Sequence, residues 1–423
     1  MKHFLIPRKL FGQTWLACAM LSTGLALPHV AFANGTAANT LIDNKASLTF
    51  TSGGGSSVTL ESAPTGNTTL GVGSGTVTQF RVDRKVDILV TRSDAAIVTS
   101  NAGTTQILTT FNVQHIGNDT QDFALTTAQL AAGTADPFGG ASPDNFSFPA
   151  ACTVRADNDN SGTYVAASDT LSYLSNIPAA AAGTTRKVFV LCDAPATTPN
   201  NSVVVVSLTA QAAVAGSSGA TIQANQSATA DGALTVETVW GDAAGSDDAA
   251  LDGKHSVRSA YLIRAAVLSL LKSETLICDP INQISNPKHI PGALVKYSVT
   301  VSNTGAASAI LNALTDALDA RFTFDTKFVA GSATAGSCTS AAGVSVAGAS
   351  TGTSFRFVCG GTSTRSCTTA AFNTNAADTD AGSIAGSTVT INYTNGLPAV
   401  AGYAVGELKA GETVTVEFQA FLN

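Results

Sequence analysis

Two aspartates, a serine and a glycine are packed into Asp157-Asn-Asp-Asn-Ser-Gly-Thr163, and Asp169 follows shortly after. Oxygen-bearing side chains at alternate positions ahead of a glycine turn are how a chain wraps a hard cation. In the register of an EF-hand-type loop, Asp157, Asp159 and Ser161 take positions 1, 3 and 5, Gly162 takes 6, and the Thr163 carbonyl takes 7. The closing carboxylate belongs at position 12, which is Ser168; Asp169 comes one later and is shorter than the usual glutamate. Calcium tolerates loose oxygen shells, so the expected ligands are Asp157, Asp159, Ser161, Thr163 and Asp169, with an affinity of about 10⁻⁴ to 10⁻³ M. A solvated Asp/Asn turn has the same composition and holds no metal.

Other chemistry is sparse. A second acidic stretch, Gly241-Asp-Ala-Ala-Gly-Ser-Asp-Asp-Ala-Ala-Leu-Asp-Gly253, matches no ligand template and reads as a flexible linker. There is no Gly-x-Ser-x-Gly elbow, phosphate loop or zinc-protease helix. His115 ends an apolar alternation, His255 falls in the expected linker, and His289 precedes an Ile-Pro-Gly turn. The expectation is a protein without catalytic activity. Nucleic-acid binding is excluded by a formal net charge of -7, 22 Lys+Arg and no basic cluster.

The compartment follows from the first residues. Lys2, Arg8 and Lys9 precede the apolar run Leu16 to Leu27, and Val30-Ala-Phe-Ala33 supplies a small-x-small cleavage pattern, so residues 1–33 are an expected signal peptide. The expected location is secreted: extracellular, on the cell surface or in the periplasm, with no transmembrane span after signal removal. Cys18 leaves with the leader, and Cys152, Cys192, Cys278, Cys338, Cys359 and Cys367 are disulfide candidates. Zinc is the weaker reading, with no Cys-x-x-Cys pair and histidines far apart. Cys152 and Cys192 end two apolar stretches that flank the Asp157 loop, where a bridge would hold both of its ends. The other four allow three pairings.

The elements that must position these residues are strands. Charged residues at 12 % and aromatics at 6 %, with hydrophobics still at 44 %, suit short strands joined by small-residue turns. Strict alternation marks Ile107–Val113, Val295–Ser302, Val389–Tyr393 and Val414–Phe421. Asn101–Asn118 and Ile290–Gly305 share a pattern of glycine turn, alternating strand and glycine turn, and each follows another apolar stretch. Two copies of one unit therefore begin near residues 84 and 260, which favours β-sandwiches. Ser259–Leu271 is built of good helix formers, but its place in the repeat predicts a strand.

Gly292-Ala-Leu-Val-Lys-Tyr-Ser-Val-Thr-Val-Ser-Asn-Thr-Gly305, with Leu314-Thr-Asp-Ala-Leu318 and Gly411-Glu-Thr-Val-Thr-Val416, resembles the conserved repeat domain of bacterial and archaeal surface proteins, an immunoglobulin-like domain of unknown function. The resemblance covers residues 262–423, is looser over 84–240, and extends to an opening strand at 39–50. It implies a structural role at the surface, as in adhesins, stalks or matrix proteins. The expected fold is all-β: residues 34–83 as a short N-terminal β segment, an immunoglobulin-like sandwich with the calcium loop at 84–240, the acidic linker at 241–259, and a second sandwich at 260–423.

The expected function is a secreted or cell-surface structural or adhesive protein, held by noncovalent contacts to other surface or matrix proteins. One alternative is a self-assembling filament subunit, a homopolymer, using strand 39–50, although pairing of that strand within its own chain is the more common arrangement. A second is a calcium-dependent module that binds glycans. Lys272, Asp316 and Asn423 are also the residue types of a self-formed Lys-Asn amide, for which ordinary surface roles are the simpler reading.

Overall fold

The computed structural model describes residues 35–140, 142–179, 183–326, 354–367, 372–373 and 380–423. The expected signal peptide and Cys338 lie outside these residues. No helix among the described residues is long and apolar enough to cross a membrane.

The N-terminal segment carries β1 (Leu41–Asn44), β2 (Ser47–Phe50), β3 (Val58–Glu61) and β4 (Thr78–Arg81). They form two antiparallel ribbons, β1 with β4 and β2 with β3. The strand expected at 39–50 thus divides in two, and both halves pair within the chain. Glu61 fastens the second ribbon: it accepts from Gly73 and Gly75 N–H at 2.9 and 3.1 Å and binds Lys45 at 2.9 Å. Gly75 permits the approach, because a Cβ there would lie 2.5 Å from the Ser62 carbonyl oxygen.

The first sandwich contains β5 (Arg84–Val86), β6 (Ile88–Arg92), β7 (Val98–Asn101), β8 (Ile107–His115), β9 (Gln121–Gln129), β10 (Thr153–Ala156), β11 (Tyr173–Ile177), β12 (Thr184–Cys192), β13 (Ser202–Ala213), β14 (Thr238–Trp240) and β15 (Lys254–Arg264). One sheet runs β10-β12-β8-β6 and the other β11-β9-β13-β15-β7, while β5 pairs with β14 in parallel. The alternation in β8 puts Ile107, Phe111 and Val113 into the core, against Phe123, Val204, Val206, Leu208 and Tyr261. Across this layer Tyr261 donates its hydroxyl to the Val190 carbonyl at 2.7 Å. β13 is apolar on both faces because both are covered, Val203 and Val205 packing with Ala260, Leu130 and Phe138 on the far side.

The second sandwich contains β16 (Leu268–Cys278), β17 (Leu294–Asn303), β18 (Ala309–Ile310), β19 (Ala313–Ala317), β20 (Phe322–Phe324), β21 (Phe355–Gly361), β22 (Phe372–Asn373), β23 (Gly382–Ala385), β24 (Thr388–Asn392), the one-turn helix α1 (Tyr393–Gly396), β25 (Glu407–Leu408) and β26 (Glu412–Leu422). The larger sheet runs β16-β17-β26-β21-β22 with β20 also on β26, and faces a β19-β24-β23 sheet. Between them lie Val299, Phe355, Phe357, Ile391, Val414, Val416 and Phe418.

Two expectations about the junction need correction. The acidic stretch is not a linker: Asp242 is 1 % exposed and accepts from the N–H groups of Asp252 and Gly253, and Asp247 binds Arg258 on β15. Nor does the second unit begin at 260, because β15 pairs with β13 from Ser202↔Ile263 to Gln211↔Lys254 and delivers Tyr261 to the first core. The apolar run from Ser259 to Leu271 is extended as predicted, but it breaks at 265–267, and its halves serve different sandwiches. Pairing with buried neighbours outweighs the local preference for helix.

Candidate functional site

The Asp157 loop leaves β10 at Ala156 and enters β11 at Tyr173, so an edge strand of each sheet of the first sandwich holds one of its ends. Asn160 and Gly162 adopt positive φ of 54° and 81°, which folds the chain back on itself. Asp157, Asp159 and Asp169 each bring one carboxylate oxygen within 4.8 Å of the others.

Their hydrogen bonds define the loop. Asp157 accepts from Ser161 N–H at 3.0 Å and Gly162 N–H at 2.8 Å. Asp169 accepts from Asn158 N–H at 3.0 Å and Val165 N–H at 2.7 Å. Both are buried. Asp159 is exposed, and hydrogen bonds from Ser161 and then Ser168 hold its carboxyl down to about 2, so it is ionised throughout the physiological range. The Ser161 hydroxyl donates to the Thr163 carbonyl at 2.9 Å, so these two expected ligands bond one another. Lys187 on β12 donates to the Gly162 carbonyl at 2.8 Å, and Tyr164 packs edge-on against Phe189, pinning the turn to the sheet. Every carboxylate oxygen of the triad already accepts one hydrogen bond, and each retains a further lone pair.

Cys152 and Cys192 form a disulfide, as do Cys359 and Cys367, and Cys278 is disulfide-bonded. The first bridge continues the β10–β12 ladder by one step beyond Thr153↔Leu191, closing the base of the loop.

The remaining candidates are dispersed. His115 is buried at the end of β8 with its ring edge-on to Phe123, and burial pushes its pKa below the usual value. His255 lies in β15, where it accepts from Val90 N–H at 3.2 Å, and His289 contacts Glu274 on the surface at 3.2 Å. Lys272 does reach Asp316, at 2.7 Å, but Asn423 is engaged elsewhere, with Thr323 and the Ala320 carbonyl, so the three are not assembled for an amide cross-link.

Two features carry no legible signature in the sequence: the exposed outer edge of β16, and a second acidic group formed by Asp83, Asp231 and Glu237. Both arise from pairings distant in sequence.

No family model matches the chain, and no curated protein matches it. Among solved structures, the full-length pilus protein RrgB from Streptococcus pneumoniae aligns at 13 % identity and a TM-score of 0.20, over 81 % of this chain and 45 % of that one. A chaperone–tip adhesin complex of CFA/I fimbriae biogenesis aligns at 8 % identity and a TM-score of 0.18, over 79 % of each chain. Likenesses this low carry no argument about function.

Proposed function

We propose that this chain is a non-catalytic structural or adhesive protein of the extracellular surface that pairs with a second copy of itself along β16. One observation carries the reading. β16 is the outermost strand of its sheet and pairs on one side with β17, and among the described residues nothing pairs with its other side. Along it Leu268, Leu270 and Leu271 are 47 %, 62 % and 64 % exposed. A long outermost strand that carries exposed leucines is a template for another strand.

A second copy fits that edge. Antiparallel pairing of β16 with itself about Ser273 sets Lys272 opposite Glu274 and Leu270 opposite Leu276, each twice by symmetry. The disulfides and the leader pattern support an extracellular setting, and the resemblance of residues 262–423 to surface repeat domains supports the role. In the same reading the Asp157 loop is a calcium brace within one sandwich, supported by its three gathered carboxylates.

Light scattering on residues 34–423, with calcium and with chelator, tests the proposal. The expected result is a dimer in both buffers that Leu270→Lys with Leu271→Lys converts to a folded monomer. A wild-type monomer at all accessible concentrations would sink the reading. Assembly that appears only with calcium would transfer it from the edge to the loop.

A further inference from the structure

Away from the Asp157 loop, three acids converge where the N-terminal segment meets the first sandwich. Asp83 lies between β4 and β5, Asp231 in the connection from β13, and Glu237 immediately before β14. One carboxylate oxygen of each lies within 4.8 Å of the others. Backbone bonds fix the pair at the centre: Glu237 N–H donates to Asp83 Oδ1 at 2.8 Å, and Arg84 N–H donates to the Glu237 carbonyl at 2.9 Å. The Glu237 side chain enters from a residue only 9 % exposed. Its Oε1 accepts from the Thr235 hydroxyl, while Oε2 is buried with no hydrogen-bond partner.

This arrangement lacks a positive charge. Among the described residues none of the three acids forms an ion pair; the adjacent Arg84 binds Asp119 at 2.6 Å, and Arg81 donates to Asn39. Neighbouring carboxylates repel, and a buried oxygen without a donor has given up its water for nothing. The Asp157 loop differs on this point, since each of its carboxylate oxygens has a hydrogen-bond donor.

We infer that Asp83, Asp231 and Glu237 bind a divalent cation of the calcium class. The donors are all carboxylate oxygens, which suit a hard ion rather than zinc or copper. Exposed Asp231 leaves one side open to water ligands that complete the shell. The ion neutralises the cluster, engages the orphaned Oε2, and ties the end of the N-terminal ribbons to the connection before β14.

Calcium titration of chelator-treated residues 34–423 tests this, read by calorimetry and by fluorescence of Trp240, which lies in β14 close to Glu237. Saturable binding is expected, retained in Asp157→Asn/Asp159→Asn and weakened by at least about tenfold in Asp231→Asn, whose exposed side chain can change without disturbing the fold. In the Asp157→Asn/Asp159→Asn background calcium is expected to raise the urea midpoint, and adding Glu237→Gln is expected to abolish that rise. In chelator Glu237→Gln is at least as stable as the wild type, because it removes an unpaired buried charge. The inference is overturned by an absence of saturable binding up to about 10 mM calcium, well above the range of extracellular sites. It is equally overturned by binding that Asp231→Asn leaves unchanged, or that only the Asp157→Asn/Asp159→Asn variant removes.

Discussion

Replacing both cysteines of the first bridge, Cys152→Ala with Cys192→Ala, tests whether the Asp157 loop is held by its covalent base. The bridge closes 40 residues, including β10, the acidic loop, β11 and most of β12. Loop-closure entropy for that span corresponds to about 4 kcal/mol at room temperature. Cys192 is 3 % exposed within the core, so truncation leaves a sulfur-sized void that adds about 1 kcal/mol. Trp240 packs against the same core and is the sole tryptophan of residues 34–423, so its fluorescence reports the first sandwich selectively. With a urea slope of about 3 kcal/mol/M, the midpoint should fall by about 1.7 M. The Cys359→Ala/Cys367→Ala variant, whose cysteines lie in the second sandwich, should leave the Trp240 transition in place. A fall below about 0.3 M in the first variant would refute the reasoning: the β8–β12–β10 ladder would then restrain the loop ends without the bridge.

The junction and the buried histidine give two further tests. Asp242→Ala removes the acceptor for two backbone N–H groups and should cost about 1–3 kcal/mol by the same fluorescence assay, where a flexible linker would lose under about 0.5 kcal/mol. His115 has a folded-state pKa lowered chiefly by burial, so the unfolded chain binds the proton first. Its contribution is complete above about pH 6.5 and is lost as pH falls below that value, at no more than about 1.4 kcal/mol per pH unit. His115→Gln should flatten the fall of the Trp240 urea midpoint between about pH 7.5 and 5.5, and an unchanged slope would contradict the assignment.

Period-2 alternation is a local property, and it made β8, β17, β24 and β26 legible within a residue or two of their ends, Tyr393 alone turning off into α1. The Cys152–Cys192 bridge and the gathering of Asp157, Asp159 and Asp169 were legible for a related reason: flanking strands and a glycine turn bring together residues already near in sequence. Which strand pairs with which is not local. β15 joins the first sandwich because β13 offers it a ten-residue ladder and the core has room for Tyr261, facts held more than fifty residues upstream and invisible in Ser259–Leu271 itself. The same pairings leave the leucines of β16 in water, and they set Asp83 against Glu237, 154 positions away. The strand-forming pattern, the small-residue turns and the cysteine spacing belong to the sequence alone. The unit boundary, the open edge and the second acidic cluster belong to the tertiary structure, since each depends on backbone partners that no local pattern names.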